Sequence, residues 1–281
     1  MRKANRIAVV APAVRFEPEW AEKVSAVARS AYPHIEIVFH PQCFLSSGHF
    51  AGDDAVREAA FVDAANDKGF DAVWFARGGY GSCRIAESAI AKLNKDARKK
   101  TYLGYSDAGF LLAGLAREGF PHLAHGPMCS DIRRKSGEEA VRRALSYLVE
   151  RAPGACEPNA VKESPAAAFN ITVLTELLGT NLEPDLSGHV LLLEEVSEAF
   201  YRIDRSLFHI TGNASIRRVK GIRLGRCSDI TPNAPDFGAG EEEIVRYWCT
   251  KSGIAYLGRA DIGHDAGNKV VPFGRALSPS P

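Results

Sequence analysis

Short apolar runs and amphipathic stretches alternate along the first half of this chain. Ile7-Ala-Val-Val-Ala11 reads as a buried strand closed by Pro12, and Pro18 to Ala31 carries helical spacing, with Trp20, Val24, Val27 and Ala28 on one face. Ile35-Glu-Ile-Val-Phe39 is a second strand pattern, and Asp53 to Asn66 a long amphipathic helix. Ala72-Val-Trp-Phe75 and Thr101-Tyr-Leu103 are further strands, each followed by a glycine-bearing turn and a helix, the first from about Cys83 to Leu93 and the second from Asp107 to Glu118. Leu123 to Met128 is strand-like, and Gly137 to Val149 helical. Strands alternating with helices predict a parallel sheet with right-handed crossovers.

Periodicity stops between Arg151 and Pro165, where Ala-Pro-Gly, Glu-Pro-Asn and Glu-Ser-Pro are turn chemistry. This divides the chain into an α/β unit at 1–150, a linker at 151–166 and a second, β-rich unit at 167–281. In the second unit the spacing predicts a helix over Val173–Leu178, a buried strand at Val190-Leu-Leu-Leu193 and a helix around Tyr201–Leu207. Strands follow near Val219–Leu224 and Ile254–Ile262, with a final strand at Val270-Val-Pro-Phe273. Pro272 argues that this last strand lies at a sheet edge. The tail Ser278-Pro-Ser-Pro281 is expected to lack structure.

Composition narrows the function without choosing it. A formal net charge of +1 over 281 residues offers no electrostatic footprint for nucleic acid or an anionic membrane. The basic residues before Ile7 imitate a signal peptide, but Pro12, Arg15 and Glu17 break the apolar run too early for a secretory core. No apolar stretch is long enough to span a bilayer. The six cysteines are scattered, with no C-x-x-C pair and no clustered histidines, so neither zinc nor a disulfide framework is signalled. Reduced thiols in a cytoplasm are the simplest reading.

The two glycine turns carry the chemistry. Gly104-Tyr-Ser-Asp107 has the G-x-S-x form of a nucleophile elbow, which marks Ser106 as a candidate nucleophile. Ala76-Arg-Gly-Gly-Tyr-Gly81 precedes a helix, where backbone N–H groups suit either a phosphate or the oxyanion of acyl transfer. No P-loop lysine and no complete G-x-G-x-x-G accompany it. A serine nucleophile needs a base, and the base an acceptor that holds its tautomer. Of the eight histidines, His264 in Ile262-Gly-His-Asp-Ala-Gly-Asn268 ends a β run in a glycine-flanked loop, where an imidazole is presented rather than packed. His125 sits at a strand end as a candidate wall of the site, and His209 lies in a helical stretch. Glu194 and Glu195 follow the buried run at 190–193. Either they are fixed carboxylates, or with Glu198 they form a solvated strand end pairing with Arg202 or Arg205. A third route would make Cys83 the nucleophile.

These segments occur in the order seen in the LD-carboxypeptidases, the serine peptidase family S66, to which the chain is similar from about Ile7 to Gly274. They are Ala76-Arg-Gly-Gly-Tyr-Gly81, Gly104-Tyr-Ser-Asp107, His125-Gly-Pro-Met128, Leu193-Glu-Glu-Val-Ser-Glu198 with Tyr201-Arg-Ile-Asp-Arg205, and Gly263-His264. The resemblance implies Ser106 as nucleophile, Glu194 as the acid that orients the histidine, and His264 as general base. It implies an oxyanion hole from the backbone N–H groups of Asp107 and the Gly78-Gly79 turn, with Gly79 as the donor and Gly78 against the substrate. A carboxypeptidase must also bind a free carboxylate, and Arg77, Arg202 and Arg205 are candidates for this by position, with ion pairing the simpler role of the last two. It also implies a Rossmann-like first domain, a smaller β-rich second domain, a site in the cleft between them, no metal or cofactor, and often a homodimer. The activity implied is release of D-alanine from a murein tetrapeptide during peptidoglycan recycling. The alternatives are a microcin C immunity-type peptidase acting on a peptide–nucleotide conjugate, and a non-catalytic ligand-binding protein. Gly109, Phe169 and Glu195 depart from the family's usual residues, at positions that bear on substrate preference.

Overall fold

In the computed structural model, residues 5–162 and 165–274 are described; the tail at 278–281 lies outside them. The first unit runs β1 (Arg6–Val10), α1 (Pro18–Ala31), β2 (Glu36–Phe39), α2 (Asp54–Asn66), β3 (Ala72–Phe75), α3 (Ser82–Ala91), β4 (Thr101–Gly104), α4 (Gly109–Arg117), β5 (Leu123–His125) and α5 (Gly137–Glu150). Pro18 opens α1 at its first turn, where the missing N–H costs nothing. Asp53 caps α2 by accepting from Val56 N at 2.8 Å. All four residues of β3 and of β4 are buried, as they must be in a sheet covered on both faces. Alternation along β1 feeds two cores: Ile7 and Val9 join Trp74 and the α1 stripe, while Ala8 and Val10 join Phe61, Val73 and Phe75.

Residues 151–162 form an ordered crossing. It holds a 3-10 turn at Pro153–Ala155 and a short helix α6 (Pro158–Lys162), and buried Glu157 accepts from Ala160 N at 2.7 Å. Beyond it come β6 (Ala166–Asn170), α7 (Ile171–Leu177), β7 (Val190–Val196), α8 (Phe200–Gly212), β8 (Gly221–Ser228), α9 (Glu241–Ser252), β9 (Tyr256–Arg259) and β10 (Val271–Pro272). Four of these strands form a parallel sheet in the order β6-β7-β8-β9, and helices alternate with them along the chain. β6 is the strand the sequence conceals. Its residues Ala-Ala-Ala-Phe-Asn have little intrinsic β preference, and burial between neighbours selects the strand instead.

β10 leaves the second unit. It pairs antiparallel with β5, giving a six-stranded sheet of order β10-β5-β4-β3-β1-β2, so Pro272 does sit on an edge strand. The core is continuous between the sheets: Val73 and Phe75 belong to the same apolar cluster as Leu191, Leu193 and Leu224. Gly109 allows the approach, because a Cβ there would lie 3.0 Å from Val173 Cγ1.

Candidate active site

Two turns at the carboxyl edge of the first sheet touch each other. Ser106 adopts the left-handed conformation at φ 58°, a strained state for a non-glycine residue. Gly104, before it, is obligatory, since a Cβ would lie 2.6 Å from Phe75 Cδ2. A Cβ on Gly78 would stand 3.0 Å from Ser106 Oγ, so the first glycine turn packs directly on the serine. Gly79 and Gly81 take φ of 109° and 137°, which side-chain-bearing residues rarely adopt. Asp107 ties the turns together. Its buried carboxylate accepts from Ser82 N (2.8 Å), Ser82 Oγ (2.5 Å) and Gly81 N (3.3 Å). Burial pushes this carboxyl above its usual range, against the pull of those donors and of Arg57.

The second unit delivers Glu194 and His264. Glu194 is fully buried on β7, and its Oε2 is hydrogen-bonded to His264 Nδ1. A register shift between β7 and β8 falls between Leu193 and Glu195, at the position of Glu194. Gly225 on β8 leaves room for it, because a Cβ there would approach Glu194 Cβ to 3.0 Å. The His264 ring is 8% exposed and lies 4.8 Å, centroid to centroid, from Tyr105, the residue preceding Ser106. Burial pulls the imidazole down, but the charge and hydrogen bond of Glu194, with Asp131 and Glu195 behind them, hold it above its ordinary 6.5. With Nδ1–H donating to the carboxylate, the lone pair is left on Nε2. That atom is buried and makes no hydrogen bond among the described residues, Ser106 Oγ included. Such links are commonly loose in a free enzyme and tighten with substrate.

The neighbouring acids separate by strand alternation. Glu195 is buried away from His264 and accepts from Asn170 Nδ2 (2.6 Å), Thr172 N (2.9 Å) and Thr172 Oγ1 (2.8 Å). Glu198 pairs with Arg202 at 2.5 Å, so the solvated reading holds for Glu198 and fails for the other two. His125 is 1% exposed, and burial lowers its pKa to about 4, which makes it a neutral wall; its Nε2 lies 3.3 Å from Asn268 Oδ1. His209 is on α8, as its spacing indicates. Arg77 donates to the Arg15 carbonyl at 3.1 Å and lies over the Trp20 ring at 5.4 Å, while Arg205 lies over Tyr201 at 5.4 Å. Cys83 starts α3 half-buried, its thiol pushed up by burial and by Asp107. Trp248 is half-buried on α9 and donates to Asp204 at 2.9 Å. Among the described residues no three His, Cys, Asp or Glu side chains are grouped to hold a metal ion.

Sequence reasoning missed the floor of the site. Tyr105 OH donates to Asp131 Oδ1 at 2.8 Å, Met128 N donates to Asp131 Oδ2 at 2.9 Å, and Arg134 Nε donates to Asp131 Oδ1 at 2.7 Å. Asn268 Oδ1 also accepts from Gly263 N at 3.3 Å, and Arg226 grips Asp261 and Asp265 at 2.5 Å each, fixing the loop that bears His264. The position of Asp131, shortly after His125-Gly-Pro-Met128, was the available signal.

A serine on a strained strand–turn–helix elbow, with a buried acid–imidazole pair brought beside it from a second parallel sheet, defines a serine-type hydrolase of the α/β class. The family model described as the LD-carboxypeptidase N-terminal domain matches residues 7–126, and that described as the C-terminal domain matches 164–278. A Streptomyces coelicolor protein named as a carboxypeptidase is 32% identical over 80% of this chain and 74% of its own length. A Bacillus subtilis protein named as a murein peptide carboxypeptidase is 26% identical over 98% and 88%. The chain belongs to the LD-carboxypeptidase family, peptidase family S66. Among solved structures, the muramoyltetrapeptide carboxypeptidase of Oxalobacter formigenes superposes with a TM-score of 0.78 at 21% identity, covering 96% of this chain and 92% of that one. A microcin C7 self-immunity protein bound to aspartyl sulfamoyl adenosine gives 0.78 at 15%, covering 98% and 92%. At these identities both likenesses concern the fold.

Proposed function

We propose that the protein is a serine carboxypeptidase that hydrolyses an L–D peptide bond and releases the terminal D-alanine of a murein tetrapeptide. The observation that carries this reading is the buried Glu194–His264 pair, whose Nε2 is unengaged among the described residues and whose ring packs on Tyr105, the residue before Ser106. In the proposed reaction Ser106 Oγ attacks the carbonyl carbon of the L-centre and its proton passes to His264 Nε2. The N–H groups of Asp107 and Gly79 receive the oxyanion, while Gly78 and Arg77 wall the substrate. Collapse breaks the C–N bond, His264 returns the proton to the departing amine, and D-alanine leaves. Water, deprotonated by His264, then hydrolyses the acyl-serine and restores the enzyme. Glu194, hydrogen-bonded to Nδ1, holds the imidazole in one tautomer.

The name of the Bacillus subtilis relative supports the peptide substrate. Residues 1–150 and 167–281 serve as the two catalytic halves, a homodimer in the cytoplasm is the working assembly, and peptidoglycan recycling is the setting. No helix among the described residues is long and apolar enough to cross a membrane.

The test is D-alanine release from L-Ala-γ-D-Glu-meso-diaminopimelate-D-Ala by wild type and Ser106→Ala. Release that falls by several orders of magnitude in the variant is the expected result. Equal rates would overturn Ser106, and no release by wild type would overturn the substrate and turn attention to peptide–nucleotide conjugates.

A further inference from the structure

The reaction proposed above produces a D-residue whose amine takes its proton from His264. The carboxylate carbon of that residue is only two bonds from the amine, about 2.5 Å away. A carboxypeptidase must tell this free carboxylate from an ordinary peptide continuation, so its receptor must stand close to the imidazole. The best receptor is an arginine fork with its outer N–H groups free and its orientation already fixed.

Arg134 meets these conditions. It follows the 3-10 turn at Cys129–Arg133, and its Nε is anchored on Asp131 Oδ1, the oxygen that also accepts from Tyr105 OH. Tyr105 is the residue in ring contact with His264, so this anchor is built into the wall of the site. The carboxylate of Asp131 is buried, and the Tyr105 hydroxyl and Met128 amide share its charge. Among the described residues Arg134 has no ion-pair partner other than Asp131, and 26% of its side chain is open to solvent. The guanidinium is thus held at Nε by Asp131, lies against the Tyr105 hydroxyl and within reach of the Asp265 charge, and keeps part of its surface open to solvent.

Other arginines near the site are engaged elsewhere, and Arg133 is exposed and lies over the Trp20 ring at 5.9 Å. Arg226 is spent on Asp261 and Asp265, and Arg143 donates to the carbonyls of Ala266 (2.7 Å) and Asn268 (3.1 Å). Arg202 is paired with Glu198. Arg77 is drawn to the Arg15 carbonyl and the Trp20 face.

We propose that Arg134 is the anchor for the free C-terminal carboxylate of the departing D-residue, oriented for that task by Asp131 and Tyr105. The inference rests on the reading of the site as a carboxypeptidase, and it assigns a residue that neither the elbow nor the acid–imidazole pair identifies.

The experiment compares kcat/KM for the tetrapeptide and for its C-terminal amide, in wild type, Arg134→Met, Arg134→Lys and Arg77→Met. Two charge-assisted hydrogen bonds predict a wild-type preference for the acid of roughly tenfold to a hundredfold. Arg134→Met should lose this preference, chiefly through KM for the acid, with the amide rate falling far less. Arg134→Lys, which keeps the charge without the fork, should retain part of it, and Arg77→Met, which removes a wall of the substrate site, should lower acid and amide rates together and keep the preference. Acid and amide rates falling together in Arg134→Met would reveal a merely structural residue and overturn the proposal. So would loss of the preference in Arg77→Met alone. Calorimetric binding of both peptides to Ser106→Ala reads the same ratio without turnover. A wild type that cleaves neither peptide therefore counts against the reaction, while binding without acid preference counts against Arg134.

Discussion

Replacing Glu194 with glutamine keeps the volume of a fully buried side chain and removes its charge from His264 Nδ1. The wild-type imidazole stands above 6.5 because the charge and hydrogen bond of Glu194, with Asp131 and Glu195 behind them, outweigh burial. Charge centres about 4 Å apart at an effective dielectric near 20 interact by about 4 kcal/mol, or up to about three pH units in the histidine titration. Without that interaction burial prevails and His264 should titrate below 6.5. Activity needs the neutral base, so the acid limb of the pH–kcat/KM profile should move down by about one to three units. The maximum should fall by about 10³–10⁴-fold, because glutamine can also hold the wrong tautomer. Stability changes in the opposite sense. A folded-state histidine pKa above the unfolded 6.5 contributes stability that is full below 6.5 and is lost as pH rises through the folded value. Wild type should thus lose stability to urea across the window in which it gains activity, and Glu194→Gln should lose that slope. D-alanine release and urea midpoints across the neutral range measure both. An acid limb that stays where wild type has it would refute the assignment of Glu194 and His264 as a coupled pair.

Two further outcomes follow from the first sheet. Gly79→Ala places a Cβ 2.7 Å from Val14 Cγ1 at a φ of 109°, so it should cost about 1–3 kcal/mol in urea unfolding and lower kcat through the displaced turn; a variant of wild-type stability and rate would show that the turn is tolerant. Cys83 has a thiol pushed up from its ordinary value, so Cys83→Ser and iodoacetamide treatment should both leave D-alanine release intact; inactivation by iodoacetamide that Cys83→Ser prevents would restore the thiol as a candidate.

Local signals wrote much of this fold into the sequence. The α1 stripe, the all-apolar β3 and the glycines at both turns need only nearest neighbours to be understood, and they were legible; α2 was read from Asp53, which in the structure caps the helix rather than joining it. His264 was legible as a presented imidazole because glycines flank it. The choice between Glu194 and Glu195 was not, because it depends on strand alternation combined with a register shift in pairing to β8. β6 was hidden because alanines become a strand only when neighbouring strands bury them. Tyr105 and Asp131, 26 residues apart, and His125 and Asn268, 143 apart, form pairs that no window along the chain contains. Each of these is ordinary in isolation.

The return of the chain to the first sheet explains how a site divided between two units can be aligned. His264 follows β9 of the second sheet, yet a few residues later β10 is bonded to β5 of the first. Between them, Asn268 accepts from Gly263 and contacts His125, while Arg143 on α5 holds the Ala266 and Asn268 carbonyls. The imidazole is thus positioned from both sides: Glu194 fixes its Nδ1 from the second sheet, and Tyr105, His125 and Arg143 fix its ring and loop from the first. A hinge between the units would have to break the β5–β10 ladder and open a core that joins Val73 and Phe75 to Leu191 and Leu193. Opening apolar surface of that kind costs roughly 25 cal/mol per Å², so movement that joins Ser106 to His264 falls to side chains and to the glycine turn, whose φ values glycine alone tolerates.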